Sequence, residues 1–247
     1  MGSTDGKWYL TKVKKACQIY ALIEENDRIA VGISGGKDSS ALLYILHQLQ
    51  RHLSVSFDII PIYVDLGFGM QMEELETFCQ SLGYALVREE TQIQEIVFQV
   101  RAEKNPCSLC AKMRKGALIL KAKEWECNKL ALGHHLDDAI ETLFLNMIYT
   151  GKLGSFAPKL YLDRQDITLI RPMVYLQEKT VLSMVLAKGL PQVKNKCPLD
   201  GKTKRDEMKE FVGNICLIYP DFREKCRKSL ENMDESGIWA MLMQKDS

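Results

Sequence analysis

The chain has 247 residues, 46% hydrophobic and 26% charged, with 33 Lys and Arg against 32 Asp and Glu. That length suits one large domain or a domain with a helical appendage, and the apolar content is enough for a sizeable core. No run of 18 apolar residues marks a membrane span, and residues 1–20 lack the apolar stretch of a secretory signal, so a cytoplasmic chain is expected. Residues 8–25 carry Leu10, Val13, Cys17, Tyr20 and Ala21 near helical spacing. RIAVGI at 28–33 reads as a short buried strand, followed by SGGKDS and a helix over about 39–49. DIIPIYV at 58–64 is a second strand, 72–82 a helix closed by Gly83, and 85–88 a third strand. A helical stretch near 92–102 leads into the loop NPCSLC and a helix from about 111 to 124. KLALG at 129–133 is the fourth strand, ending in HHLDD and a helix to about 149. TLIR at 168–171 is the fifth, with a helix over 179–188 and a polar, helical run over 206–245.

Strands alternating with helices predict a parallel sheet covered on both faces, with ligands bound beyond the carboxyl ends of the strands. SGGKDS, VDLGFG and GHHLDD all fall at such ends. The chain is therefore divided into a helical extension at 1–26, an α/β domain at 27–205 and a helical tail at 206–247. The near-zero net charge conceals segregation. Residues 101–130 carry a net +5, residues 151–210 another +5, and the remainder −9. Two basic segments in an acidic frame are either solvated helix faces or a composite nucleic-acid surface.

In Ser34-Gly35-Gly36-Lys37-Asp38-Ser39 two glycines let successive N–H groups point into one concavity. Ser34 and Ser39 add hydroxyls, Lys37 adds a point charge, and a helix starts at once, so the segment is built to cradle an anion. It is not a Walker A loop, because Val31 stands where the first glycine belongs and Asp38 follows Lys37. Asp38 is either a magnesium ligand or a helix cap, and Asp65 either a nucleoside contact or a turn residue. In Gly133-His134-His135-Leu136-Asp137-Asp138, the aspartates either stabilise a helix N-terminus or hold magnesium on a triphosphate. His134 and His135 lack zinc-motif spacing and pack or contact nucleotide.

SGGKDS resembles the pyrophosphate loop of the ATP-pyrophosphatase (PP-loop) family, which cleaves ATP to AMP and pyrophosphate. The resemblance implies a Rossmann-like, HUP-type parallel five-stranded sheet and ATP binding through Ser34, Gly35, Gly36, Lys37, Asp38, Ser39, Asp65, Gly133 and His134. Magnesium would sit on Asp38, Asp137 or Asp138. GHHLDDAIETLF is similar to both tRNA-lysidine synthetases and tRNA cytidine 2-thiolation enzymes.

The cysteines separate the two. Eight cysteines in a cytoplasmic chain are not a disulfide framework. Cys107 and Cys110 form a Cys-x-x-Cys that, alone, suits zinc, a redox pair or an iron–sulfur cluster. NPCSLCAKMRKGAL resembles the corresponding segment of tRNA 2-thiocytidine synthetases (TtcA-like), which lysidine synthetases lack. That family uses a third, distant cysteine, and Cys197 in KNKCPLDGKTKRDEM is the candidate. The resemblance implies a 4Fe-4S cluster on Cys107, Cys110 and Cys197. Lys37, Asp38 and the three cysteines would then carry the chemistry, thiolating cytidine 32 of the anticodon loop. Lys112, Arg114, Lys115, Lys152, Lys159 and Arg171 would contact RNA. A homodimer and a sulfur donor, either a cysteine desulfurase or free sulfide, are also expected. Uridine thiolation, lysidine-type chemistry and a non-catalytic RNA-binding relative remain the alternatives. Cys17, Cys79, Cys127, Cys216 and Cys226 read as packing residues.

Overall fold

The computed structural model describes residues 6–101, 106–193, 196–199 and 203–232. In chain order its elements are α1 (Lys7–Ile19), β1 (Asp27–Ile33), α2 (Lys37–Gln50), β2 (Phe57–Asp65), α3 (Glu73–Ser81), β3 (Val87–Glu90) and α4 (Ile93–Glu95). A π-turn (Ile96–Val100) extends α4, and then come α5 (Pro106–Glu124), β4 (Lys129–Ala131) and α6 (Leu136–Thr150). The hairpin β5 (Lys159–Leu162) and β6 (Ile167–Ile170) precedes α7 (Glu178–Lys188), α8 (Lys204–Ile218) and α9 (Phe222–Glu231).

The six strands lie in the order β3-β2-β1-β4-β6-β5. All neighbours are parallel except β5, which runs antiparallel to β6. The five predicted parallel strands are thus joined by a sixth at the edge. Its signal is weak because Leu160 and Tyr161 stay exposed, so no apolar alternation marks it. The central strand β1 is buried along nearly its whole length, as expected of a parallel strand covered on both faces. Leu42, Leu46 and Leu49 of α2 pack on one side with Val13 of α1, Leu75 of α3 and Val181 of α7. On the other side Leu118, Ile119 and Ala122 of α5 pack with Ile93 and Val97. Each fully buried leucine contributes about 2 kcal/mol from the area it removes from water.

Several boundaries differ from expectation. Helix α1 stops at Ile19, where Ala21 takes φ 45° and Leu22 turns inward, its N–H donating to the Cys17 carbonyl. Strand β3 starts at Val87, two residues late. The predicted tail helix is two helices, broken around Pro220 because proline cannot continue the first. The rest of that predicted run, 233–245, lies outside the described residues. Among the described residues no helix is long and apolar enough to cross a membrane.

Candidate active site

Strand order reverses at β1, which has β2 on one side and β4 on the other. The crevice beyond the carboxyl ends of β1 and β4 is therefore the switch point where such sheets bind ligands. The turn after β1 is SGGKDS and the turn after β4 is GHHLDD, so the fold brings the two motifs face to face. Gly133 is what lets them touch. A Cβ there would stand 3.0 Å from the Asp38 carbonyl oxygen and 3.3 Å from the Ser39 nitrogen.

In the first turn Gly35 takes φ 82°, a conformation glycine adopts without strain. The hydroxyl of Ser39 accepts from the Ser34 N–H at 3.0 Å and donates to the Gly36 carbonyl at 2.9 Å. This shapes the loop and leaves the first N–H groups of α2 without partners in the helix. Gly36 is the helix N-cap and no side chain caps it, so the capping role weighed for Asp38 is not the one seen. Asp38 instead holds the Lys37 ammonium with both oxygens, at 2.9 Å each. A third oxygen comes from Glu178 at 3.1 Å, which also takes Lys209 at 2.7 Å. Burial works against the Lys37 charge, but Asp38 and Glu178 outweigh it and raise its pKa. Burial likewise works against the Glu178 carboxylate, yet Lys209 and Lys37 pull its pKa down to about 2.

The second turn is organised by a capping box. The His135 ring accepts from the Asp138 N–H, and the Asp138 carboxylate accepts from the His135 N–H at 2.8 Å. The other ring nitrogen of buried His135 lies 3.7 Å from Asp38, so this imidazole links the two motifs. His134 stacks on Phe156 and accepts at Nδ1 from the Arg171 Nε–H at 3.3 Å. Burial pushes its pKa down to about 4, with Asp138 opposing and Arg171 adding to the effect, so the ring is neutral near pH 7.

The expected magnesium aspartates separate. Asp137 is buried, holds Arg223, and accepts from the Glu178 N–H at 2.7 Å. A carboxylate enclosed in this way is a structural anchor, which corrects its reading as a magnesium ligand. Asp138 is half-committed, with one oxygen in the capping box and the other 3.4 Å from Arg205. Asp38 is the most open of the three, at 32% side-chain exposure. Glu141, one helical turn past Asp138, is buried against the same carboxylates. Burial first and Asp138 second raise its pKa to about 7. Asp65 closes a turn by accepting from the Gly67 N–H at 2.9 Å and pairs with Arg88 at 2.5 Å. This is the geometry of its turn-residue reading.

Two of the expected RNA contacts are placed elsewhere by the fold. Arg171 is buried, donates to the Ala157 carbonyl at 2.6 Å and lies 4.7 Å over Phe156, so its work is to hold His134. Lys159 donates to the Ala21 carbonyl at 2.6 Å and shares Glu24 with buried Lys129 at the amino end of β4, far from the crevice. Lys112, Lys115 and Lys152 are exposed, whereas Arg114 is half-buried.

The cysteine pair lies not on a loop but in the first turn of α5, where Pro106 starts the helix with the backbone angle it already prefers. Cys107 is exposed, and Cys110 and Cys197 are half-buried. Cys197 arrives by a route the sequence does not reveal. After α7 the Pro191 carbonyl accepts from the Ser40 hydroxyl at 2.9 Å, and the Val193 N–H donates to the Gly35 carbonyl at 2.8 Å. Lys196 then donates to the Gly69 carbonyl at 2.5 Å. This strap crosses the phosphate loop and brings Cys197 within electrostatic range of Cys110. Burial raises the Cys110 pKa, Arg114 opposes it, and Cys197 and Cys107 raise it further. Among the described residues no three His, Cys, Asp or Glu side chains stand at metal-holding distance. The donor chemistry nonetheless suits an iron–sulfur site: three cysteine sulfurs, with Cys107 and Cys197 both within electrostatic range of Cys110. Cys17, Cys79 and Cys127 are buried, and burial raises their pKa values to about 12, 11 and 11, so they stay protonated. Cys226 is also buried, and Cys216 is half-buried.

Sequence reasoning passed over Glu178, Lys209 and Arg223 as parts of this site. No short-range signal marks them, since each reaches it from more than 30 residues away. His135 could have been assigned its role, because His-x-x-Asp before an apolar run has capping-box spacing.

Comparison with known proteins places this geometry. The PP-loop domain family matches residues 9–215. The tRNA-cytidine(32) 2-sulfurtransferase of Syntrophotalea carbinolica is 41% identical over 223 residues, 89% of this chain and 86% of that protein. That of Geobacter sulfurreducens is 33% identical over 237 residues, 94% and 92% respectively. Among solved structures, the U34-tRNA thiolase NcsA from Methanococcus maripaludis, with its 4Fe-4S cluster, superposes with TM-score 0.74 at 24% identity, covering 98% of this chain and 85% of that one.

Proposed function

The chain belongs to the PP-loop family of tRNA-cytidine(32) 2-sulfurtransferases, and from that premise we propose how its residues carry out ATP-dependent thiolation of tRNA. The observation that carries the reading is the switch-point crevice, where a phosphate loop faces a histidine–aspartate turn while a strap across that loop delivers Cys197 toward Cys107 and Cys110.

A pyrimidine 2-carbonyl keeps its oxygen because oxide is a poor leaving group. Attack of that oxygen on the ATP α-phosphorus releases pyrophosphate and leaves the oxygen bonded to AMP. Sulfur at the hydrosulfide level then bonds to C2, its proton leaves, and AMP departs with the original oxygen, a redox-neutral exchange. Sulfur arriving as a persulfide needs in addition a thiol that takes up the carrier's sulfur as a disulfide. The first-turn N–H groups of α2 bind the phosphates, and the Lys37 ammonium offsets charge on them as pyrophosphate leaves. Lys37 must first exchange a carboxylate oxygen for a phosphate oxygen, and Lys209 remains to neutralise Glu178. Asp38, with Asp138 across His135, offers hard oxygens for a magnesium ion that is otherwise held by the triphosphate itself. The neutral His134 ring, its orientation set by Arg171, would contact the nucleotide. Cys107, Cys110 and Cys197 would hold the 4Fe-4S cluster. When bound, a cluster with three protein ligands supplies an iron open to a sulfur ligand.

Lys112, Lys115 and Lys152 would contact the RNA backbone. The proposal extends to a cytoplasmic homodimer supplied with sulfur by a cysteine desulfurase or by free sulfide. It also keeps the division of the chain at residues 26 and 205. The second boundary falls within α8, whose Arg205 and Lys209 reach back to the crevice. Anaerobic reconstitution with iron and sulfide, followed by nucleoside mass spectrometry of tRNA treated with ATP, is the test. The expected product is 2-thiocytidine with pyrophosphate released in equal amount. A thiolated uridine, a lysine-modified cytidine or no modified base would overturn the assignment.

A further inference from the structure

Arg114 stands out among the basic residues near the cysteines. Cys107, Cys110 and Arg114 are spaced i, i+3 and i+7 along α5 and share one helical stripe. The stripe runs inward, from exposed Cys107 through half-buried Cys110 and Arg114 to buried Leu118. Lys112 and Lys115 leave the same helix on its exposed faces. Among the described residues Arg114 donates no hydrogen bond and forms no ion pair. Its electrostatic neighbours are Cys110 and Tyr63, and burial lowers its pKa. The cations of the phosphate crevice are matched: Lys37 by Asp38 and Glu178, Lys209 by Glu178, Arg223 by Asp137, and Arg205 by Asp138. A half-buried guanidinium with no carboxylate beside it, one helical turn from Cys110, is placed to take up an anion entering next to that thiol.

We infer that Arg114 is the binding residue for the incoming sulfur, held as a small anion of the hydrosulfide class beside Cys110. This rests on the thiolation reading above. The size of the anion follows from the position. RNA phosphates ride on a duplex or loop backbone and meet side chains at the surface, as Lys112 and Lys115 are placed to do. A cation set behind an exposed cysteine is reached more readily by an anion of one heavy atom, or by the terminal sulfur of a persulfide. The guanidinium fork supplies charge-assisted N–H donors that hold such an anion next to the three thiols.

The test uses the reconstituted holoprotein and its Arg114→Gln and Arg114→Lys variants. Sodium hydrosulfide is titrated in one arm and, in another, cysteine persulfide with a thiol that takes up the cysteine sulfur as a disulfide, both at saturating ATP and tRNA. Loss of a charge-assisted contact should raise the half-saturating sulfur concentration about tenfold or more in Arg114→Gln, with partial recovery in Arg114→Lys. The arm that shows the shift identifies the source. The KM for ATP and the Kd for tRNA should stay at wild-type values. Independently of turnover, the midpoint of the hydrosulfide-induced change in the cluster's visible absorption should move by the same factor. Unchanged midpoints in both arms would overturn the inference. So would a uniform loss of tRNA affinity with a salt slope smaller by about one, the signature of a phosphate contact. Should Arg114→Gln fail to fold, the charge-conserving Lys variant must still show a raised midpoint. Failure of the thiolation reading itself would be visible separately, as wild-type protein that makes no thiolated base while its absorption still responds to hydrosulfide.

Discussion

The phosphate crevice and the cysteine group use the same end of the sheet but are assembled in opposite ways. The crevice consists of two short turns on adjacent parallel strands, packed so closely that a Cβ at Gly133 would stand 3.0 Å from the Asp38 carbonyl oxygen. Its groups satisfy one another through Lys37, Asp38, His135 and Asp138. The cysteine group joins one helix start to a strap nearly 90 residues further along. Its half-buried arginine, Arg114, is left without a carboxylate partner among the described residues. The contrast indicates that activation of the base and delivery of sulfur are distinct tasks, the first prepaid by packing and the second completed by what binds.

Substitutions can break or sharpen this division. The largest effect belongs to Lys37→Ala, which removes the ammonium from the phosphates and should lower tRNA-dependent pyrophosphate release by about 100-fold or more, with thiolation falling in step. Next, Cys107→Ala, Cys110→Ala and Cys197→Ala should each abolish 2-thiocytidine while pyrophosphate release stays within a few-fold of wild type. A parallel collapse of both signals would mean that the two regions act as one. Gly133→Ala should force α2 away from the turn after β4. Thermal unfolding should then report a loss of about 1–3 kcal/mol, and the KM for ATP should rise. The smallest effect is on pH dependence. His134 is depressed in the fold, so its contribution is full above its unfolded pKa and declines as pH falls from about 6.5 to 4. Glu141 is raised, so its contribution is full at low pH and is lost as pH rises from about 4.5 toward 7. The two slopes oppose each other. Glu141→Gln should therefore make stability fall more steeply between pH 7 and pH 5, by up to about 1 kcal/mol per pH unit, as read by urea denaturation.

Much of the crevice was legible because its chemistry is contiguous. The residues of SGGKDS and GHHLDD occupy strand–helix turns whose position follows from hydrophobic periodicity, and a parallel sheet puts such turns at one end. Arg171 illustrates the limit. Its charge placed it among the RNA contacts, but one residue beyond β6 it turns inward to Phe156 and His134, and no local pattern separates a buried arginine from an exposed one. Asp137 and Asp138 are adjacent and chemically identical, yet a helix turns successive side chains by about 100 degrees, so one meets Arg223 and the other caps His135. Cys107 and Cys110 appeared as a loop pair because proline reads as a breaker, whereas at the first position of a helix it is a starter.

The sequence by itself determined the layered α/β plan and the phosphate loop, since each is written in residues close together along the chain. Only the tertiary structure decided which aspartate faces the crevice and how Glu178 and Lys209 share Lys37. It also decided that Cys197 is carried across the phosphate loop toward Cys110. These depend on burial and on contacts between distant segments, where the environment rather than the residue type sets what a charge or a thiol can do.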